Sequence, residues 1–410
     1  MPQKLSWPAE GLRRVPLAIY TDPSTYSREQ QRIFRGRSWN YVGLAAEVAR
    51  PGDFVRTYVG EVPVILVRDR QHELRVFVNR CTHRGAEVCQ EESGNTKLFT
   101  CPYHHWSFSL EGSLVGIPFR RGIKGEGGMS PYFEPAQHGL EQLKVTERAG
   151  VVFASHSQDV EPLEEYLGPT ILSYFDRVCD GRPLRVIGTM RHRVHANWKL
   201  QIENLKDPFH AALLHSFFVT FGIWRSDQAT EVKVDALGRS SVLVSTASFK
   251  KAADGQAEEA PQAQGEFRLE DSRLIAHERE YEHGTGAILT VWPNLIILQQ
   301  LNCLAMRHVR PDGPGACVKT WTFFGYESDT PELLQKRLAQ ANMLGPSGLV
   351  TIDDNEVLAI LQAGASNSPH AAAVLEAGEG TGDAGHMVTE SAIRGFHQYY
   401  RSIMGELTND

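Results

Sequence analysis

At 410 residues, with 41% hydrophobic and 22% charged content, the chain is long enough for two domains with substantial cores. A formal net charge of -7 argues against general binding to nucleic acid or an anionic membrane, so an acidic substrate has to be met by a few local cations. The opening "MPQKLSWPAEGLRR" lacks an apolar signal-peptide core and no run is long enough to span a bilayer, so a cytoplasmic location is expected. In that compartment the six cysteines are expected as thiols, and any with a chemical role as metal ligands.

In chain order, Asp22-Pro23 ahead of "STYSREQQRIFRG" combines a cap, a proline at the first helical position and Gly36 at the end, which predicts a helix over 23–35. From Trp39 the runs "DFVRTYVG", "VPVILVRD", "LRVFVNR" and "KLFTC" are short, β-branched and cut by turn residues, as in a small all-β unit ending near "GVVFASHS". "PLEEYLGPTILSYFDRVC" then reads as helix, residues 186–325 as longer alternating strands, and 330–404 as helix again. The pattern predicts an α+β domain with a β-rich domain inserted near its start. Residues 251–266 are polar and poor in bulky side chains, and read as a solvated loop. "GTGDAG" matches a dinucleotide fingerprint but follows no strand, and is read as a Gly-rich linker.

Chemistry concentrates first in "NRCTHRGAEVC" and "FTCPYHHWSF". Cys81 and His83 are separated by one residue, Cys101 and His104 by two, and each pair sits where a strand gives way to a tight loop. Two thiolates and two imidazoles suit a tetrahedral zinc or a [2Fe-2S] cluster. Each loop gives one of each, which fits cysteines on one iron and histidines on the other. Cys81-Thr82-His83-Arg84-Gly85 and Cys101-Pro102-Tyr103-His104 with Trp106 resemble the ligand loops of the Rieske iron-sulfur family, in which a tryptophan at the place of Trp106 packs against the cluster. His105 and Cys89 are expected to be bystanders.

"ENLKDPFHAALLH" places an acid and two histidines in an otherwise apolar helical stretch. Asp207, His210 and His215 can share a side if the helix is irregular near Pro208, and two histidines with a carboxylate suit a mononuclear non-heme iron(II) site open to O2. "NWKLQIENLKDPFHAALLH" resembles the iron-binding region of the Rieske non-heme iron ring-hydroxylating oxygenases, large (α) subunit. The resemblance implies a Rieske domain over 38–156 and a catalytic domain over 1–37 and 157–410, the latter a large antiparallel sheet of helix-grip type with covering helices. It makes His210 and His215 iron ligands, and Asp207 a bridge to His104 of a neighbouring subunit in a head-to-tail trimer. It also puts the carboxylate ligand on a late helix, where "GPSGLVTIDDNEVLAILQ" favours Asp354 over Asp353, with Asp353 and Glu356 read as ordinary solvated helix acids.

The strand "LNCLAMRHVR" puts Leu301, Cys303, Ala305 and Val309 on one face with Arg307. A buried guanidinium needs an anion, either a protein acid or a bound carboxylate. Arg394 in "TESAIRGFHQYY" is a second candidate. "PFRRGIKGEGGM", "YLGPTILSYFDRV" and "TFGIWRSD" resemble the subgroup acting on aromatic acids such as salicylate, anthranilate and terephthalate. The resemblance implies a terminal oxygenase using O2 and electrons from NAD(P)H through a separate reductase and ferredoxin, as α3 or, with a small β subunit, α3β3. A Rieske demethylase would use identical metal sites, and a Rieske electron-transfer protein only the first of them.

Overall fold

A computed structural model describes residues 7–224, 228–246, 269–276, 278–281 and 286–405. The expected loop at 251–266 lies outside the described residues. Two compact units divide the chain: Phe34–Val160, and Met1–Ile33 together with Glu161–Asp410. The fold is α+β, and no helix among the described residues is long and apolar enough to cross a membrane.

The smaller unit consists of short antiparallel strands because its β-branched runs are interrupted by turn residues every few positions. Asp53–Val59, Val62–Arg68 and Leu74–Val78 pair in succession. A second sheet joins Phe99–Thr100, Ser107–Phe108 and Leu114–Gly116, and a third joins Lys144–Arg148, Val151–Ser155 and Asn40–Leu44. Phe54, Ile65, Phe77, Phe99 and Phe108 form one core with Cys81, Cys101 and Trp106, so the thiols are positioned by packing as well as by their loops.

The larger unit is organised by seven antiparallel strands: β1 (Leu184–Val194), β2 (Ala229–Val234), β3 (Ser241–Thr246), β4 (Gly286–Val291), β5 (Leu295–Gln300), β6 (Cys303–Pro311) and β7 (Cys317–Tyr326). Their spatial order is β1-β7-β6-β5-β4-β3-β2. The helices are α1 (Leu163–Val178), α2 (Trp198–Asn204), α3 (Pro331–Leu344), α4 (Leu349–Asn367) and α5 (Ser391–Met404). Of these, α1 packs on β4, α3 on β6, α4 on β1 and α5 on β2. Gly348 opens α4 where a Cβ would run into the Met343 carbonyl, so glycine lets α4 turn back against the end of α3.

The predicted helix 23–35 is α-helical only over Pro23–Glu29, capped by Asp22, and widens to a π-turn over Gln30–Phe34. Its last α-helical residue, Glu29, is fully buried. There it accepts hydrogen bonds from Lys199 Nζ (2.6 Å), Trp198 Nε1 (2.9 Å) and the Tyr400 hydroxyl (2.7 Å). The first segment of the chain is thereby tied to α2 and α5, with the buried charge paired and hydrogen-bonded.

Candidate metal centres

The two loops of the smaller unit repeat one backbone pattern. Cys81 N–H donates to the Ala86 carbonyl (2.8 Å) and Gly85 N–H to the Cys81 carbonyl (2.9 Å); Cys101 N–H donates to the Trp106 carbonyl (2.9 Å) and His105 N–H to the Cys101 carbonyl (3.0 Å). Each turn closes on a left-handed residue, Gly85 (φ 82°) or His105 (φ 56°). Gly85 takes that conformation without a Cβ penalty. His105 is therefore a turn residue, and its neighbour His104 points inward against His83, with ring centroids 4.6 Å apart. Trp106 stacks on His83 (4.6 Å, 11°) and Tyr103 lies against His104 (3.8 Å).

These loops fit a binuclear cluster. Burial, reinforced by the Cys101 thiol, pushes the Cys81 thiol up, and burial with nearby His104 and Arg84 pushes His83 down, so a cationic centre would be needed to draw out the thiol protons. His104 Nδ1 is buried without a hydrogen-bond partner. One tetrahedral ion would gather four donor atoms to within about 4 Å of one another. Among the described residues, three donors lie within 4.8 Å of one another at His210, His215 and Asp354, and the four loop ligands form no such group.

In the larger unit the stretch after α2 is not one helix. His210 and His215, five residues apart, would diverge by about 140° on a continuous helix at 3.6 residues per turn. Pro208 lacks a donor and disfavours helix at Asp207, whose Oδ1 instead accepts the N–H groups of Phe209 (3.0 Å) and His210 (3.3 Å), starting a new turn over Ala211–Leu214. That turn stops at His215 (φ -86°, ψ 78°), and Ser216–Thr220 begins another. The two breaks turn both rings to one side, centroids 5.3 Å apart.

Asp354 faces both rings from α4. Its Oδ1 lies 3.6 Å from His210 Nε2 and 3.3 Å from His215 Nε2, and Asn204 Nδ2 donates to the same oxygen at 3.2 Å. Asp354 belongs to the helix's buried stripe of Thr351, Asp354, Leu358, Gln362 and Ala365. Asp353, one residue off that stripe and 33% exposed in its side chain, instead meets the other nitrogen of His215, Nδ1, at 3.4 Å. This contact was missed in the sequence, where Asp353 reads as a solvated acid. It sets the tautomer that leaves Nε2 free towards Asp354.

The acids hold the site short of positive charge. Burial opposes ionisation of His210, yet Asp207 and Asp354 outweigh it and push the imidazole up to about 10; Asp354, despite its burial, is held well below the usual carboxylate range by the two histidines. Two nitrogens and one carboxylate oxygen in this arrangement suit a non-heme iron(II). Asp207 itself stands 3.8 Å from His210 Nδ1, an electrostatic contact longer than a hydrogen bond.

Beside this group lies a small cavity, partly open to solvent, with Arg307 in its wall. On β6, Arg307 pairs across the sheet with Trp321, and its guanidinium lies 3.8 Å over that ring. It is 7% exposed, and its buried Nε has no hydrogen-bond partner among the described residues; burial pushes it down to about 10, against the opposing charge of Asp354. Arg394 is different. Its guanidinium donates to the carbonyls of Gly380 (2.8 Å), Leu375 and Ala377 (both 3.1 Å) and Gly378 (2.9 Å), and it does not line the cavity. The expectation of a second anion on Arg394 is corrected accordingly: a loop of backbone oxygens already occupies it, Gly380 of the "GTGDAG" stretch included. Leu301 also falls outside β6, in a left-handed turn (φ 54°), rather than on the Arg307 face.

Comparison with known proteins accords with this geometry. Residues 38–126 match the Rieske [2Fe-2S] domain, and 182–406 the ring hydroxylating alpha subunit (catalytic domain). The chain is 47% identical to the salicylate 5-hydroxylase large oxygenase component of Ralstonia sp, over 99% of this chain and 97% of that one. It is 40% identical to the anthranilate 1,2-dioxygenase large subunit of Burkholderia cepacia, over 97% and 95% respectively. Naphthalene 1,2-dioxygenase from Rhodococcus sp., solved bound to indole, shares the fold with a TM-score of 0.76 and 24% identity, over 96% of both chains.

Proposed function

This chain belongs to the alpha subunits of the Rieske ring-hydroxylating oxygenases, and from that membership we propose that it hydroxylates the ring of an aromatic carboxylic acid whose carboxylate is held by Arg307. It is a terminal oxygenase component, and its relatives serve with a separate reductase or ferredoxin. When bound, the [2Fe-2S] cluster supplies single electrons and the mononuclear iron supplies O2 activation.

Cys81 and Cys101 would hold one cluster iron as thiolates, His83 and His104 the other as neutral imidazoles. His210, His215 and Asp354 would hold the mononuclear iron, with Asp353 fixing the His215 ring. Asp207 would join the two centres across a subunit boundary by accepting a hydrogen bond from His104 of the partner subunit, in a head-to-tail α3 trimer or an α3β3 assembly. Reducing equivalents from NAD(P)H would arrive only indirectly. Arg307 would orient the ring by a charge-assisted hydrogen bond, and the cavity walls would exclude water from the reacting face.

The buried guanidinium of Arg307, whose Nε has no hydrogen-bond partner among the described residues, carries this reading from its place in the cavity wall beside the two histidines and Asp354. An unpaired buried cation is costly unless a ligand anion completes it. With Arg394 already engaged, a monocarboxylate fits better than a phthalate-type diacid. Turnover of a benzoate panel under labelled O2 with a matched reductase, analysed by mass spectrometry, should place the label on a ring carbon. Formaldehyde released from methoxy or methylamino benzoates, without ring label, would make the protein a demethylase instead.

A further inference from the structure

Arg307 has a second cation for a neighbour. Lys319 on β7 is two residues from Trp321 and on the same face of the sheet, where Trp321 pairs across to Arg307. The Lys319 ammonium lies 5.4 Å from the centroid of the indole that the Arg307 guanidinium covers at 3.8 Å, so one ring faces both charges. Lys319 is 1% exposed, and it donates to a neutral amide, Gln201 Oε1, at 3.0 Å. No acid among the described residues forms an ion pair with either cation. The carboxylate whose charge reaches both is Asp354, which already faces His210 and His215. Burial and the Arg307 charge accordingly push Lys319 down to about 8. Holding α2 to the sheet needs only a neutral donor, whereas a buried lysine with no acid beside it carries a desolvation cost that a nearby anion offsets.

We propose that Lys319 helps to select a carboxylate without touching it: from behind the cavity wall it acts at range, so that the anion held by Arg307 meets two charges instead of one. This rests on the aromatic-acid reading above and deepens it. Lys319 does not line the cavity, but in a poorly screened interior a charge acts well beyond contact distance. The coupling runs both ways. A bound carboxylate offsets the repulsion from Arg307 and holds the proton on Lys319, so an acid takes up protons as it binds near pH 8 and a neutral analogue does not. Lys319 is charged below about 8 and strengthens acid binding there; the contribution is lost as pH rises through that value. The other groups facing Lys319 hold their state between pH 6 and 9. On β7 burial pushes Cys317 up to about 12, and on β1 burial and the Lys319 charge push His192 down to about 4. Arg307 on β6 keeps its charge, Asp354 on α4 stays a carboxylate, and Gln201 on α2 does not titrate.

Anaerobic titration calorimetry of the holoenzyme with benzoate and benzamide, at pH 6, 8 and 9 in buffers of different ionisation heat, counts these protons. Benzoate should take up about 0.3 proton at pH 8 and almost none at about pH 6, its affinity should fall about three- to fourfold between those limits and about pH 9, and benzamide should show neither effect. Lys319→Met, similar in length and uncharged, should weaken benzoate about fivefold at the acid end, flatten its pH dependence and leave benzamide within about twofold. Equal weakening of acid and amide in that variant, or undiminished proton uptake in it, would reduce Lys319 to an anchor for α2 and overturn the proposal. Should Lys319→Met not fold, the wild-type protein decides alone, and benzamide taking up as many protons as benzoate overturns it. Benzoate binding with no proton uptake would sink this inference and leave the broader reading intact, whereas failure to bind benzoate at any pH would sink both.

Discussion

The smaller unit packs an aromatic ring against each of its candidate histidine ligands, whereas the larger unit leaves its ligands beside a cavity. His83 stacks on Trp106 and His104 lies against Tyr103, and the loops that carry them close on themselves through the same pair of backbone bonds. His210, His215 and Asp354 come from separate helical segments and share a cavity with the Arg307 guanidinium. The first arrangement suits a centre that exchanges electrons without admitting a ligand, the second a centre that must take in a small molecule and an acid. The difference lies in what surrounds the donor atoms more than in the atoms themselves, since both sets include two histidines.

The sharpest way to break this comparison is to empty one site and leave the other. Cys101→Ala should abolish the cluster absorbance while mononuclear iron is retained, and His210→Ala or His215→Ala should do the reverse, read by visible spectra and iron analysis. Loss of both metals in either class of variant would show the two sites to be interdependent. Asp207→Asn should keep both metals and lower coupled turnover by roughly 100-fold, because an amide offers one acceptor and an unwanted donor; normal turnover would remove Asp207 from the electron path.

Arg307→Gln should weaken an aromatic acid by about 2–3 kcal/mol, roughly 30- to 150-fold, and leave the matching amide much less affected. Because no acid among the described residues forms an ion pair with Arg307, the melting temperature of the ligand-free variant should not fall, and a clear drop would expose a structural role. Asp353→Asn should cost about tenfold in iron affinity through loss of ring orientation, with cluster absorbance unchanged.

The mildest test is pH. Metal entry must displace the proton that Asp207 and Asp354 hold on His210 up to about pH 10, so the affinity of cobalt(II), used as a redox-stable probe, should rise with pH, approaching tenfold per unit between about 6.5 and 10. Stability of the metal-free protein should run the other way. A raised His210 stabilises fully below its ordinary 6.5 and loses that contribution as pH climbs through about 10. A depressed Asp354 stabilises above its ordinary 3.8 and loses it on acidification. The metal-free protein should thus gain most from the pair between about pH 4 and 6.5, and a melting temperature that rose from pH 6.5 to 10 would contradict this.

The two regions also differ in how far they can be read from residues alone. The cysteine and histidine loops are local, so spacing and turn residues already say which side chains meet. The α+β class follows equally from where β-branched runs give way to helical ones. Asp354 is reached only through the resemblance, and the fold supplies the physical reason: it falls in register with Thr351, Leu358 and Gln362 on one buried stripe. Asp353 is not reached at all, because its role depends on which nitrogen of a distant His215 turns towards α4. Arg394 misleads for the same reason: a guanidinium close to core positions looks poised for an anion until the Leu375–Gly380 carbonyls fold around it.

Glu29 adds a dimension of time. It lies ahead of the smaller unit, yet its buried carboxylate is completed by Lys199 and, near the far end of the chain, by Tyr400. On a ribosome, Phe34–Val160 is available as a whole while most of the larger unit is still unmade. At 5–20 residues per second, roughly 10–50 s pass between synthesis of Val160 and arrival of Tyr400. Through that interval the first segment carries an acid with its last partner missing, and the nascent larger unit cannot close around it. Every residue of the smaller unit, Cys81 and Cys101 included, is thus made before the second metal site acquires Asp354.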